Sequence, residues 1–249
     1  MSALLIAVFV LLGFAVGSFL NVCIDRLPQG QSILKPPSHC PACNKKLSVL
    51  DLVPVFSYLW LRSRCRYCQS PIPRRLPIVE GITGLFFGLF YMKFGLSPVL
   101  GMILLYTCLL LIIFVIDLEN QLVLDVVVYP GMVLALVFSF FWPGGNWLNA
   151  LKGGAIGLAV LALPFLIYRK GMGIGDIKLG ALIGLMSGFP LIFVTLLIAF
   201  ISGGLVGSML LVFHIKGRKD AIPFAPFLTS STLITLLWGA MIYHWYFPT

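Results

Sequence analysis

Repeated long apolar runs constrain this chain more than any other feature. The first covers residues 3–24, and others lie near residues 76–94, 98–116, 123–142, 147–168, 177–188, 190–213 and 224–247. About 20 apolar residues are what a helix needs to cross a bilayer, and in hydrocarbon the backbone must satisfy its own hydrogen bonds. The pattern predicts an all-α polytopic membrane protein, a bundle of about eight transmembrane helices. With 60% hydrophobic and 10% charged residues, nothing hydrophilic is large enough for a separate soluble enzyme. No Lys or Arg precedes the first run, so it lacks the basic start of a signal peptide and reads as a retained helix.

Charge then sets the expected orientation. A net charge of +9 would suggest nucleic acid in a soluble chain; here it reads as basic residues held in cytoplasmic loops, with no nucleic-acid partner. With the amino terminus outside, the segments 25–75, 117–121, 169–178 and 216–220 face the cytoplasm and carry fifteen Lys and Arg, leaving Lys93 and Lys152 outside. This orientation places Asp117, Asp125 and Asp176 on the cytoplasmic side. Three regions follow: a first transmembrane helix over 1–24, a polar cytoplasmic module over 25–75, and a helical bundle over 76–249. Gly84/Gly88, Gly153/Gly157, Gly180/Gly184/Gly188 and Gly203/Gly207 recur at helical spacing, as close packing of membrane helices requires.

The module carries Cys40-Pro-Ala-Cys43 and Cys65-Arg-Tyr-Cys68, with twenty-one residues between the pairs. That spacing suits one tetrahedral Zn²⁺ held by Cys40, Cys43, Cys65 and Cys68, a closed and therefore structural site. Two disulfides are the alternative, against which the reducing cytoplasm argues. Cys23 and Cys108 sit in apolar runs and read as core residues.

Acids near hydrocarbon are costly and mark candidate sites. Asp117 ends the third run, and Asp176 opens the sixth within Gly171-Met-Gly-Ile-Gly-Asp-Ile-Lys178. Two carboxylates brought together share a proton: one serves as general base on a water while the other polarises a carbonyl, which is the chemistry of amide hydrolysis. The alternative is that each Asp caps a helix or is solvated. Gly173 and Gly175 leave room for an extended substrate backbone beside Asp176. Asp125, ahead of Val-Val-Val-Tyr, reads as a helix N-cap. Glu80 falls in the first turn after Pro77, where an acid suits the helix dipole, and Glu119 reads as a solvated turn residue.

These residues also resemble a known family. Gly17 to Pro28, the two Cys-x-x-Cys pairs, Leu76-Pro-Ile-Val-Glu80, Ile116-Asp117 and Gly173-Ile-Gly-Asp176 resemble, in order and spacing, the bacterial type IV prepilin peptidases, which are Gly-x-Gly-Asp membrane aspartyl proteases. The resemblance covers essentially the whole chain. It implies cleavage of the basic leader of type IV prepilins and type II secretion pseudopilins by Asp117 and Asp176, at the cytoplasmic boundary of the bacterial inner membrane. It also implies N-methylation of the new amino terminus with S-adenosylmethionine, assigned to the amino-terminal half. Where the family has Pro-Asp, this chain has Leu124-Asp125. Two other readings are a protease of this class without methyl transfer, and a transporter with intramembrane acids as a proton relay. A transporter predicts paired halves with interrupted helices, and no repeat relates residues 76–142 to 147–213.

Overall fold

The computed structural model describes residues 2–142, 147–167, 173–214, 217 and 222–246, with the backbone alone at Ile167, His244 and Tyr246. Gly171 and the basic residues Arg169, Lys170, Lys216, Arg218 and Lys219 lie outside the described residues. Helices run as α1 (Ala3–Arg26), α2 (Phe56–Trp60), α3 (Arg75–Phe94), α4 (Pro98–Asn120), α5 (Asp125–Phe141), α6 (Trp147–Ile167), α7 (Ile174–Ser187), α8 (Leu191–Val212) and α9 (Ala225–Tyr246). Each expected apolar run is therefore helical. Six of the helices are long and apolar enough to cross a membrane; α5, with 17 residues, and α7, with 14, fall short of that length. The chain forms two compact units, residues 1–112 and 113–249, divided within α4.

In the first unit α1 and α3 pack backbone to backbone. A methyl group at Gly13 would lie 2.6 Å from Gly84 Cα, and one at Gly17 would lie 2.7 Å from Glu80 Cα. Only hydrogen fits at such a crossing, the small-residue packing that membrane helices use in place of a hydrophobic driving force. Gly84 also meets the Phe14 ring, and Phe9 stacks on Tyr91 at 4.6 Å. Near the Arg26 end of α1, Asn21 Nδ2 donates to the Leu76 carbonyl at 3.1 Å, and Arg75 pairs with Asp25 at 2.6 Å. Between α1 and α3 lies the polar module.

In the second unit the glycines of α6 and α7 interlock. A methyl group at Gly157 would collide with the Gly180 carbonyl oxygen, and one at Gly153 with that of Gly184. The expected packing role thus holds for these residues; at Gly207 the nearest atom among the described residues is an ordinary 3.8 Å away, on Ile222. Helix α7 packs against α5, α6 and α9 and buries Leu179–Ile183 among other residues. It is short because both ends are set by glycine: Gly173 is extended at its amino end, and Gly188 at its carboxyl end has φ +68°. Hydroxyls bind α7, α8 and α9 together, Ser187 to Thr195 at 3.0 Å and Thr195 to Thr235 at 3.0 Å. Central, short and rigidly held, α7 fixes where its first turn, and hence Asp176, can stand.

Candidate active site and metal centre

Asp117 lies on the last turn of α4 and is 4% exposed. Its Oδ2 accepts a hydrogen bond from the Ala225 N–H at 3.2 Å, at the first turn of α9. Helix amino ends leave N–H groups unsatisfied and favour negative charge, so α9 meets Asp117 with a donor and a favourable dipole. Asp176 stands in the first turn of α7, its N–H donating to the Gly173 carbonyl at 3.1 Å. The Asp117 carboxylate lies near enough to act electrostatically on Asp176. The two predicted acids, from different helices, are brought to one place.

The glycines beside Asp176 differ. Gly173 is exposed, and a methyl group there would lie 3.7 Å from Asp176 Oδ2. Gly175 is turned to the α4–α5 connection: a methyl group on it would lie 2.8 Å from Val123 Cβ. That contact lets the segment following Asp117 close on the start of α7.

Two readings from sequence are corrected here. Asp125 is not an N-cap: Leu124 holds that position with an extended backbone, and Asp125 is the first residue of α5. Its carboxylate instead receives Lys178 Nζ at 2.8 and 2.9 Å, and the same ammonium lies 5.3 Å from the Tyr129 ring centroid. Glu80 is not in a first turn, because α3 begins at Arg75. It is 8% exposed, and its Oε2 accepts the Val55 N–H at 2.7 Å. Glu119, read as a turn residue, lies in α4 and is exposed.

Sequence reasoning missed Ala225. Its contribution is a backbone N–H, which no side chain announces. Pro223 and Pro226 around it are the one available signal, since proline suits the first positions of a helix. Lys178 was also missed as the partner of Asp125.

In the polar module the Sγ atoms of Cys40, Cys43, Cys65 and Cys68 all lie within 4.8 Å of one another. The cysteines are free thiols, with Cys40 and Cys68 Sγ 3.8 Å apart. Two turns of the same design build the cluster. In the first, the Cys40 N–H reaches the Lys45 carbonyl, the Asn44 N–H returns to Cys40, and the Leu47 N–H bonds Ser38. In the second, Cys65 reaches Ser70, Gln69 returns to Cys65, and Ile72 bonds Ser63. Asn44 and Gln69 occupy matching left-handed positions, φ +56° and +59°. Each turn curls its backbone around a thiol pair, so four sulfurs converge.

Burial pushes the Cys40 thiol up, but the N–H groups of Cys43 and Ala42 and the Ser70 hydroxyl outweigh it and bring it down to about 6. The Cys68 thiol is also lowered, chiefly by Ser70. The Lys45 N–H lowers the Cys43 thiol, but burial and the Cys68 and Cys40 sulfurs outweigh it and push it up to about 11. Cys40 and Cys68 are thus the members that lean toward the thiolate, the form a metal needs. Asp51 ties the turns together: it forms a capping box with Ser48, and its Oδ1 receives Arg66 Nε at 2.7 Å. Burial raises the Asp51 carboxyl, yet Ser48 and Arg66 together hold it below the usual carboxylate range.

Fold and sites define a class: a membrane-spanning helical protein with two neighbouring acids from different helices in one unit and a four-thiol cluster, able to hold a metal ion, in the other. Residues 11–94 match the family described as Bacterial Peptidase A24 N-terminal domain, and residues 103–208 match the Type IV leader peptidase family. The chain is 33% identical to a prepilin leader peptidase/N-methyltransferase of Aeromonas hydrophila, over 95% of this chain and 91% of that protein. Proteins of the same name from Stutzerimonas stutzeri, 32% identical over 93% of this chain and 90% of theirs, and from Bacillus subtilis, 27% identical over 97% and 98%, also match. No solved structure matches. The chain belongs to the type IV leader peptidase family.

Proposed function

We propose that this protein cleaves the leader peptides of type IV prepilins and methylates the amino terminus that cleavage exposes. Pseudopilins of type II secretion, which share the same leader chemistry, are included as substrates. The observation that carries the peptidase half is that Asp117 acts electrostatically on Asp176, an acid supplied by a different helix of the same unit.

In this reading the pair holds one proton. The Ala225 N–H and the amino end of α9 favour negative charge on Asp117, so Asp117 takes the proton of the attacking water. Asp176 is the protonated member and donates toward the carbonyl oxygen of the scissile amide. The tetrahedral intermediate then collapses with cleavage of the C–N bond: the proton gained by Asp117 passes to the leaving amine, and the proton lent by Asp176 returns to it as the carbonyl reforms. Gly173, exposed beside Asp176, leaves space for the substrate backbone. Gly175 contributes through its approach to Val123, which holds the two acid-bearing segments together. The basic leader and apolar body of a prepilin place the scissile bond at the membrane boundary.

Cys40, Cys43, Cys65 and Cys68 would hold one Zn²⁺, which supplies a structural cross-link and no open coordination position. Methyl transfer would draw on S-adenosylmethionine; among the described residues no side-chain set singles out a site for it, and this half rests on the relatives. We assign residues 1–24 to a first transmembrane helix, 25–75 to the zinc-binding module and 76–249 to the bundle with the peptidase site. The site would face the cytoplasm of the bacterial inner membrane, with the amino terminus outside; the fifteen-to-two distribution of Lys and Arg supports this orientation.

The test is incubation of the purified, membrane-reconstituted protein with a prepilin and methyl-labelled S-adenosylmethionine. A shortened, labelled product is expected. Cleavage without label would reduce the assignment to a peptidase alone, and an intact substrate would reject the proposal.

A further inference from the structure

We infer that residues 49–60 form a membrane-docking surface, which places apolar side chains in the headgroup layer beside α3 and gathers anionic phospholipid around it. The inference does not depend on the peptidase reading; it needs only that α1 and α3 cross the membrane.

The first observation is exposure. Val49 is 83% exposed, Leu50 68%, Phe56 58%, Leu59 67% and Trp60 85%. These are values for lipid-facing residues, comparable with Leu4 at 74% on α1, yet they belong to the polar module, where Leu34 at 80% is the other strongly exposed aliphatic side chain. The side chains come from two short helical turns, Val49–Leu52 and Phe56–Trp60, which pack on each other and so form one surface. A continuous apolar patch of this kind marks an interaction site.

The second observation fixes its level. The Val55 N–H, between the two turns, donates to Glu80 Oε2 at 2.7 Å. Glu80 stands in the second turn of Arg75–Phe94, about 7 Å along the helix from its start. The segment therefore hangs alongside the membrane-crossing helix, anchored below that helix's own start. Val55 holds φ +60° and ψ −48°, an unusual conformation for a β-branched residue. The Glu80 bond accompanies that strain: a buried carboxylate holds the turn where its neighbours face the interface.

The third observation is charge. Arg62 and Arg64, just after Trp60, are exposed in the same module. The only acids in residues 25–75 are Asp25 and Asp51, and each is already paired with an arginine. Unopposed cations next to exposed Trp and Leu match an anionic leaflet, where tryptophan settles at headgroup level and basic residues bind phosphate.

The experiment places the photoreactive residue p-benzoylphenylalanine at Trp60, at Leu50, or at the exposed polar control Lys46, in the full chain. The protein is reconstituted in phosphatidylethanolamine vesicles containing phosphatidylglycerol, irradiated and analysed by mass spectrometry. Both test positions are exposed, so neither replacement removes a core contact. At least about fivefold more lipid adduct is expected at 60 and 50 than at 46. Phosphatidylglycerol should be over-represented relative to its share of the vesicle, and Arg62→Gln with Arg64→Gln should reduce that excess. Adduct yields at 60 and 50 no higher than at 46, or adducts to a second copy of the chain or another protein in place of lipid, would overturn the inference.

Discussion

The thiol cluster and the aspartate pair are built in opposite ways. Each half of the cluster closes within ten residues: Ser38 bonds Leu47 around one thiol pair, and Ser63 bonds Ile72 around the other. The aspartate pair has no such local frame. Asp117 and Asp176 come from separate helices, and the N–H that holds Asp117 is 108 residues away, on α9. The cluster depends on local turns with a cross-link, whereas the pair depends on how tightly the helices of one unit can pack. Damage should therefore stay local in the first and spread in the second.

The largest effect is expected from the glycines of α6 and α7. Leu at Gly157 would strike the Gly180 backbone, which cannot swing aside, at a cost of about 1–3 kcal/mol or more. The second unit should lose thermal stability and cleavage together. Ala at Gly204, where nothing among the described residues lies within 4 Å, should leave both unchanged. If the two variants behave alike, in thermal unfolding followed in detergent, close glycine packing is not what assembles the aspartate site.

Metal removal should come next. About one Zn²⁺ per chain is expected by metal analysis, and Cys65→Ser or a chelator should expose residues 25–75 to protease while the helices remain resistant. Simultaneous loss of both would erase the contrast between a local and a distributed site.

Asp51→Ala removes a capping box and the link to Arg66, and should loosen the module by about 1 kcal/mol near neutral pH. Because the folded carboxyl is held below its unfolded value, this contribution is fully present above about pH 4. It is lost as pH falls through the folded value, so the gap between variant and parent should close in acid. Hydrogen exchange of the module across pH would read it.

Asp125→Asn should matter least. Its pair with Lys178 is solvent-accessible, with side chains 55% and 29% exposed, and such pairs are worth a few tenths of a kcal/mol. Cleavage should fall by no more than about threefold.

The same contrast explains what the sequence made legible. The helices could be placed from hydropathy, because an apolar run in lipid has few alternatives. The thiol cluster could be placed because Cys-x-x-Cys spacing is itself the site. Asp117 and Asp176 could be nominated, since acids at the ends of apolar runs are rare. Their partners could not. Ala225 acts through its backbone, Gly175 acts by admitting Val123, and Asp125 meets Lys178 across the packing of α5 on α7. Glu80 and Asp125 were misplaced for a related reason: a cap depends on where a helix begins, and α3 begins two residues earlier than Pro77 suggests.

The central claim is that Asp117 and Asp176 work as a pair while Asp125 does not take part. Asp117→Asn, Asp176→Asn and Asp125→Asn should be purified, checked for an unchanged melting temperature, and assayed for prepilin cleavage side by side. Asn cannot take up a proton as the base or supply one as the acid, so each of the first two variants should lose at least about a thousandfold in rate. The third should stay within about threefold of the parent. A folded Asp117→Asn that still cleaves, beside an inactive Asp125→Asn, would contradict the account and make Asp125 the partner of Asp176.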